Sequence, residues 1–344
     1  MVNKKNVIIF LTLSVVGAMG TFFYSSDTAS IAEISSQINI PLLLLCIIGV
    51  PVFDWLIAGL RMWIFAHVLN PDITLLACIR NCAIGSFMCA VTPSQTGGGI
   101  VQVWVLTQDG ARTGQAITIM LMTFLGTLMF YFLGAVGLWV FADNITFPTS
   151  VNSTVFGSAV SMFGVVAAGI ILALLFPRRV IHFSESMAKR LSRHPRIERY
   201  ASRFVIWLKD SSQASQTILR QYKFRFGFSV ILSILIFSNK FFAAYIAAQA
   251  LGIEVSLVQV LIIQMFLNVL LYFLPTPGGA GGAEWGSAVL MSSLIPEALI
   301  APHTIIWRSA LAYMAVLVGG ILFIGYLNRV RDQTVKPDPQ VQQS

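Results

Sequence analysis

The sequence predicts an all-α, polytopic helical membrane protein. About six full spans are expected, with two re-entrant helical hairpins related as an inverted repeat. Three observations lead there. The 344 residues are 56% hydrophobic and only 10% charged, and long apolar runs recur along the chain, which excludes a soluble globular domain. Two Gly/Pro-rich stretches, 92–99 and 274–284, interrupt apolar segments. The basic residues crowd into a few connections, which sets the orientation of the spans.

In chain order, 7–24 is an apolar run behind Lys4 and Lys5. No small-x-small cleavage site follows it, so it reads as the first membrane helix and not a leader. Residues 40–69 are a long apolar segment containing Pro51, Asp54 and Arg61, and Pro51 is expected to kink it. Residues 73–92 are apolar around Arg80 and Asn81, and a short run to Leu106 follows the first Gly/Pro stretch. Two clear spans come next, 115–142 and 154–176. The stretch 178–225 holds more than half of all Lys and Arg; with Phe183, Met187 and Leu191 at helical spacing it reads as a basic, amphipathic cytoplasmic loop. Residues 226–251 form another span with Asn239 and Lys240 near its middle. Residues 257–274 carry Gln264 and Asn268, 284–295 is a short run closed by Pro296, and 303–326 is the last span, with Arg308 inside it. The polar tail, 327–344, is expected to be disordered.

The two Gly/Pro stretches correspond without a gap when Pro93 is set against Pro275, Gly97 against Gly279, Gly99 against Gly281 and Gln102 against Glu284. Thr74-Leu75 then falls on Ser256-Leu257, and the order of long and short segments repeats. A first repeat over 40–142 and a second over 226–326 follow. Runs such as 99–106 and 284–295 fall short of the ~20 residues that cross a bilayer, so 73–106 and 257–295 read as re-entrant hairpins. Arg61 and Arg112 flank the first, which places its ends in the cytoplasm; Glu254 and Glu297 flank the second, which places its ends outside. The full spans are then 7–24, 40–62, 113–142, 154–176, 226–251 and 303–326, in a single integral membrane domain with both termini cytoplasmic.

That is the pattern of broken helices meeting near the bilayer midplane. Irregular backbone at such depth is tolerated only when buried in protein or lining a wet cavity. A short helix opening on a glycine loop offers free N–H groups and a positive dipole end to an anion. The candidate substrate-binding residues are therefore Pro93, Gly97, Gly98, Gly99 and Gln102 in the first half, and Pro275, Pro277, Gly278, Gly279, Gly281, Gly282 and Glu284 in the second. Lys240, Asn268 and Arg308 join them as polar groups at membrane depth. Glu284 reads as a proton carrier or counter-charge, against the plainer reading of a carboxylate that steadies its own helix. Arg308 reads as its ion-pair partner or as a phosphate ligand. Asn268, Gln264 and Gln102 also fit interhelical hydrogen bonding, and the tryptophans fit packing or interface positions. Cys46, Cys78, Cys82 and Cys89 lie in apolar segments without zinc spacing. No nucleophile motif or nucleotide loop appears, so no catalytic residue, metal or cofactor is expected.

Thr92-Pro93-Ser94-Gln95-Thr96-Gly97-Gly98-Gly99 with Gln102, and Pro275-Thr276-Pro277-Gly278-Gly279-Ala280-Gly281-Gly282-Ala283-Glu284, resemble the flippase-like membrane domain of the lysylphosphatidylglycerol synthase transmembrane-region family. The resemblance covers roughly 7–326. Many members have a Gly-Glu pair after the first glycine loop, with an Arg nearby; here Ile100 follows Gly99, and Gln102 is the nearest polar group. An Arg in the last span is typical, and Arg308 matches it. The resemblance implies an inner-membrane protein that handles lipids. In multiple peptide resistance factors such a domain moves aminoacylated phosphatidylglycerol between leaflets, while a separate soluble domain makes that lipid. This chain has no length for the soluble domain, so translocation of an anionic, aminoacylated or isoprenoid-linked lipid is expected of it, and lipid synthesis is not. The alternative is a non-transporting membrane partner that anchors or regulates an envelope lipid or cell-wall enzyme. The expected partners are membrane lipids with an anionic headgroup and no nucleic acid; a homo-oligomer or an envelope-enzyme partner is left open.

Overall fold

The computed structural model describes residues 4–24, 38–141 and 222–335, with single positions between 154 and 169. The described residues form helices and connections. They are α1 (Lys4–Tyr24), α2 (Ile40–Leu69), α3 (Leu75–Val91), α4 (Gly97–Gln108), α5 (Thr113–Phe141), α6 (Lys223–Ala250), α7 (Leu257–Phe273), α8 (Gly282–Met291) and α9 (297–335). Four are long and apolar enough to cross a membrane: Ile40–Leu69, Thr113–Gly137, Lys223–Ala250 and Glu297–Asp332. α1 is apolar over Ile8–Thr21. Much of the expected span 154–176 and nearly all of the basic loop 178–225 lie outside the described residues.

Local chemistry fixes several helix ends. The Asn39 side chain accepts from the Leu42 N–H at 3.2 Å, with Pro41 in the first turn of α2, and Thr74 caps α3 by accepting from the Ala77 N–H at 3.2 Å. A kink is expected at Pro51, and the helix around it is irregular. A π-helical turn, Leu45–Gly49, precedes the proline and lets α2 run on; the wider turn absorbs both the missing N–H and the ring. The tail departs from expectation. α9 begins at Glu297 behind Pro296, passes through π-helical turns at Ser309–Tyr313 and Ala315–Gly319, and stays helical to Val335. Tyr326 is buried, and Leu327 and Val330 pack on the cluster around Phe87 and Phe323, so the first residues past the expected span end have a surface to hold them.

α2 and α6 lie side by side in opposite directions. The Asn39 N–H donates to the Ala250 carbonyl at 2.8 Å near one end, and Arg225 Nη1 donates to the Ile64 carbonyl at 3.2 Å toward the other. α3 and α4 form a hairpin whose two feet sit at the Arg225 end: Asn70 Nδ2 donates to the Gly110 carbonyl at 3.0 Å and Gln115 Nε2 to the Leu69 carbonyl at 2.6 Å. α7 and α8 form a second hairpin with its feet at the Asn39 end, where Ile253, Ile295 and Ile300 share one apolar cluster with Ala247 and Leu251. The hairpins thus insert from opposite ends of the bundle, and their tips meet at its centre. Phe10 of α1, fully buried, packs there with Ala90, Ala280 and Ala312.

Candidate site at the crossing of the hairpin tips

Pro93 and Pro277 face each other as an isolated antiparallel bridge. The Gly278 N–H donates to the Thr92 carbonyl at 3.4 Å, and Ser94 Oγ donates to the Leu274 carbonyl at 3.3 Å. The loops are built alike. Gln95 N–H donates to Thr92 O and Thr96 N–H to Pro93 O; Gly279 N–H donates to Thr276 O and Ala280 N–H to Pro277 O. After each bridging proline come two left-handed residues, Ser94 and Gln95 at φ 49° and 56°, and Gly278 and Gly279 at φ 57° and 68°. For Ser94 and Gln95 that conformation costs about 1–2 kcal/mol each. At Gly278 a side chain is barred twice over, since a Cβ would also lie 2.6 Å from the Ala90 carbonyl oxygen.

This geometry corrects the expected register. Pro93 answers to Pro277, not to Pro275, and Gly97 to Gly281. Only Thr92 separates α3 from its bridging proline, whereas Leu274, Pro275 and Thr276 separate α7 from Pro277. In the structural register the counterpart of Glu284 is Ile100, not Gln102.

At each helix start the chain itself takes up one N–H group. Glu284 Oε2 accepts from the Gly281 N–H at 2.7 Å, and Thr92 Oγ1 accepts from the Gly97 N–H at 2.9 Å. Beside the helix starts, side chains offer further ligands to an anion.

Those side chains line a cavity of about 450 Å³ below the crossing. α2 contributes Asp54, Ala58 and Arg61, spaced along one helix face. α6 contributes Phe237, Lys240 and Phe241; α7 contributes Gln264, Asn268 and Leu271; α9 contributes Trp307, Arg308 and Leu311. Cys82, Ser86 and Cys89 of α3 and Thr123 and Thr127 of α5 complete the wall. Lys240 Nζ lies 3.7 Å from Asp54 Oδ2. Arg61 Nη1 reaches Thr127 Oγ1 at 3.1 Å and Ser233 Oγ at 2.9 Å. Tyr131 OH donates to Asn268 Oδ1. With Arg61, Lys240 and Arg308 against Asp54, cations outnumber acids in the lining.

Glu284 stands behind Arg308 and does not line the cavity. Arg308 Nε donates to Glu284 Oε1 at 2.8 Å, and their side chains are 4% and 1% exposed. α1 closes the far side: a Cβ on Gly17 would lie 3.1 Å from Glu284 Cβ, so glycine there lets α1 approach the pair closely.

Of the residues expected at the site, Gly99, Gln102, Lys240, Asn268, Gly278 and Arg308 line the cavity. Pro93, Gly97, Gly98, Pro275, Pro277, Gly279, Gly281 and Gly282 build the crossing and its helix starts, and Glu284 positions Arg308. Sequence reasoning passed over Asp54, Arg61, Gln264 and Trp307 as cavity residues. The available signal was charge and amide groups inside apolar runs, which Asp54 and Arg61 carried. Arg80 stands apart from the cavity: both Asp109 carboxylate oxygens accept from its Nη2, at 2.9 and 2.8 Å, and its guanidinium lies 4.6 Å from the Tyr326 ring centre. Tyr326 OH also donates to Asp109 at 3.1 Å, so this group clamps the first hairpin to α9.

The family described as "Lysylphosphatidylglycerol synthase TM region" matches residues 7–319. A "UPF0104 membrane protein" of Archaeoglobus fulgidus is 23% identical over 289 residues, spanning 81% of this chain and 85% of the archaeal one.

Proposed function

This chain belongs to the lysylphosphatidylglycerol synthase TM-region family, and we propose that it is a flippase-like translocase for a lipid with an anionic headgroup, aminoacylated and isoprenoid-linked lipids included. The observation that carries the reading is the cavity itself. It lies where two oppositely inserted hairpins touch, and Arg61, Lys240 and Arg308 give it an excess of positive charge. A space of about 450 Å³ suits a phosphate-bearing headgroup and leaves the acyl chains in the bilayer.

In this reading the hairpins are re-entrant, dip from opposite leaflets and form an inverted repeat. The protein sits in the inner membrane with both termini in the cytoplasm, where its basic connections belong. It moves its lipid without making or breaking a covalent bond. Arg308 is a phosphate ligand, positioned by Glu284. Lys240 and Arg61 are the second contact, and Asp54 tempers their charge.

Reconstitution of the full chain in vesicles carrying headgroup-labelled phosphatidylglycerol tests this, with labelled phosphatidylcholine as the neutral comparison. A membrane-impermeant quencher should reach the anionic lipid faster with protein than without, and Arg61→Gln with Lys240→Gln should abolish the gain. If no labelled anionic or isoprenoid-phosphate lipid crosses faster than in empty vesicles, the translocase reading falls, and a membrane partner of an envelope enzyme takes its place.

A further inference from the structure

Away from the cavity, the Glu284–Arg308 pair continues into a strip of hydroxyl groups. Ser287 lies three residues beyond Glu284 on α8, and Thr304 four residues before Arg308 on α9. Each therefore shares a helix face with its half of the ion pair. α8 packs on α9, and α1 packs on both, so the strip is closed on the third side by the helix that carries Ser14 and Thr21. Thr21, Ser287 and Thr304 are 0% exposed and Ser14 is 3% exposed. The hydroxyls of Ser287 and Thr304 have no hydrogen-bond partner among the described residues, although a hydroxyl on a membrane helix has a carbonyl of its own preceding turn within reach. Next to Thr304, His303 is fully buried. Its Nε2 donates to the Ala244 carbonyl at 2.9 Å, which leaves Nδ1 a bare acceptor. A merely packed seam would satisfy such groups locally or carry alanine instead.

We propose that Ser287 and Thr304, with His303 beside them, form a proton path that serves Glu284 from the end of the bundle where the second hairpin has its feet. The proposal rests on the translocase reading and adds its coupling ion. A proton from water at that end adds to Glu284 Oε1. One O–H bond of a hydronium ion at that end breaks as the O–H on Glu284 forms, each hydroxyl on the path losing one proton and gaining another; the hydrogen bond from Arg308 Nε breaks, and the Arg308 charge turns to the phosphate in the cavity. When the headgroup leaves, the proton departs through the cavity and the ion pair re-forms. The titratable and charged groups around Glu284 are Arg308 and His303 on α9 and Tyr313 on the π-helical turn after it. Cys89 of α3, Asp54 and Arg61 of α2 and Lys240 of α6 lie beyond Arg308, in the cavity lining. α1 presents Gly17, and α7 presents the neutral amides Gln264 and Asn268.

The test uses the full chain in vesicles and two readouts. After a pH jump, the infrared signal of a protonated carboxyl should rise in the wild-type protein and be absent in Glu284→Gln. In Ser287→Ala/Thr304→Val the rise should be at least about tenfold slower, as loss of a hydrogen-bonded link implies, and Thr304→Ser should keep the wild-type rate. Movement of labelled phosphatidylglycerol under an imposed pH gradient is the second readout, and its gradient-driven part should disappear in the same variants. An equally fast carboxyl signal in Ser287→Ala/Thr304→Val, or none in the folded wild-type protein, overturns the proton path. A carboxyl response of the expected kind without lipid movement leaves the path standing and overturns the translocase reading instead.

Discussion

Replacing Arg308 by methionine should be among the most damaging single changes in the protein. The guanidinium and the Glu284 carboxylate meet at 2.8 Å with side chains 4% and 1% exposed. At an effective dielectric near 20, unit charges 4 Å apart attract by about 4 kcal/mol. Loss of one partner leaves the other charge buried, and such losses cost about 3–5 kcal/mol. In Arg308→Met the Gly281 N–H still donates to Glu284, but no countercharge replaces the guanidinium. The double change Glu284→Gln/Arg308→Met removes both charges and should recover most of that loss, because a neutral replacement of a buried pair is often close to isoenergetic. Denaturant unfolding in mixed micelles, run on the wild-type protein, both single variants and the double variant, gives the coupling energy directly. A value of about 2 kcal/mol or more is expected. A value under about 0.5 kcal/mol would mean that the pair contributes no more than an exposed one, and the view of Glu284 as the group that fixes Arg308 would fail.

Gly278→Ala should cost at least about 2 kcal/mol in the same assay, since it combines a left-handed φ with a clash against the Ala90 carbonyl. Gly99→Ala, where an added Cβ meets nothing within 4 Å, should change stability by no more than about 1 kcal/mol, and in the stabilising direction. Lys240→Gln should weaken binding of phosphatidylglycerol about tenfold, and Asp54→Asn should strengthen it, as read by lipid competition in detergent. Asp109→Asn should loosen the clamp on Arg80 and Tyr326 by about 1.5–3 kcal/mol, seen as faster amide exchange in α9 beyond Tyr326.

The long helices are legible because a run of apolar residues bounded by polar ones has few other solutions. The hairpins are legible for the opposite reason, since glycine and proline at such depth forbid a continuous helix. The site was harder to read. Asp54, Lys240, Gln264 and Arg308 stand on α2, α6, α7 and α9, and only tertiary packing brings them to one cavity. The register of the tips misled because Pro275 and Pro277 are the same letter, while the turn that matches the one after Pro93 follows Pro277. Letters cannot show that the extra residues of the second loop precede its turn. The π-helical turn before Pro51 was hidden for a related reason: it depends on what packs against the helix, and here the Asn239 side chain of α6 donates to the Val50 carbonyl beside the proline at 2.9 Å. The helix past Tyr326 was hidden because its polar sequence resembles a tail until the surface beneath it is known.

The meeting of Pro93 with Pro277 has a mechanical consequence. Neither residue owns an amide hydrogen, so the place where the chain's two halves touch cannot grow into a ladder. One long bond from Gly278 and one from the Ser94 hydroxyl are the hydrogen bonds that span it, and both are near the limit of useful length. Such a joint resists compression and hardly resists sliding. Few hydrogen bonds would have to break for one tip to turn against the other.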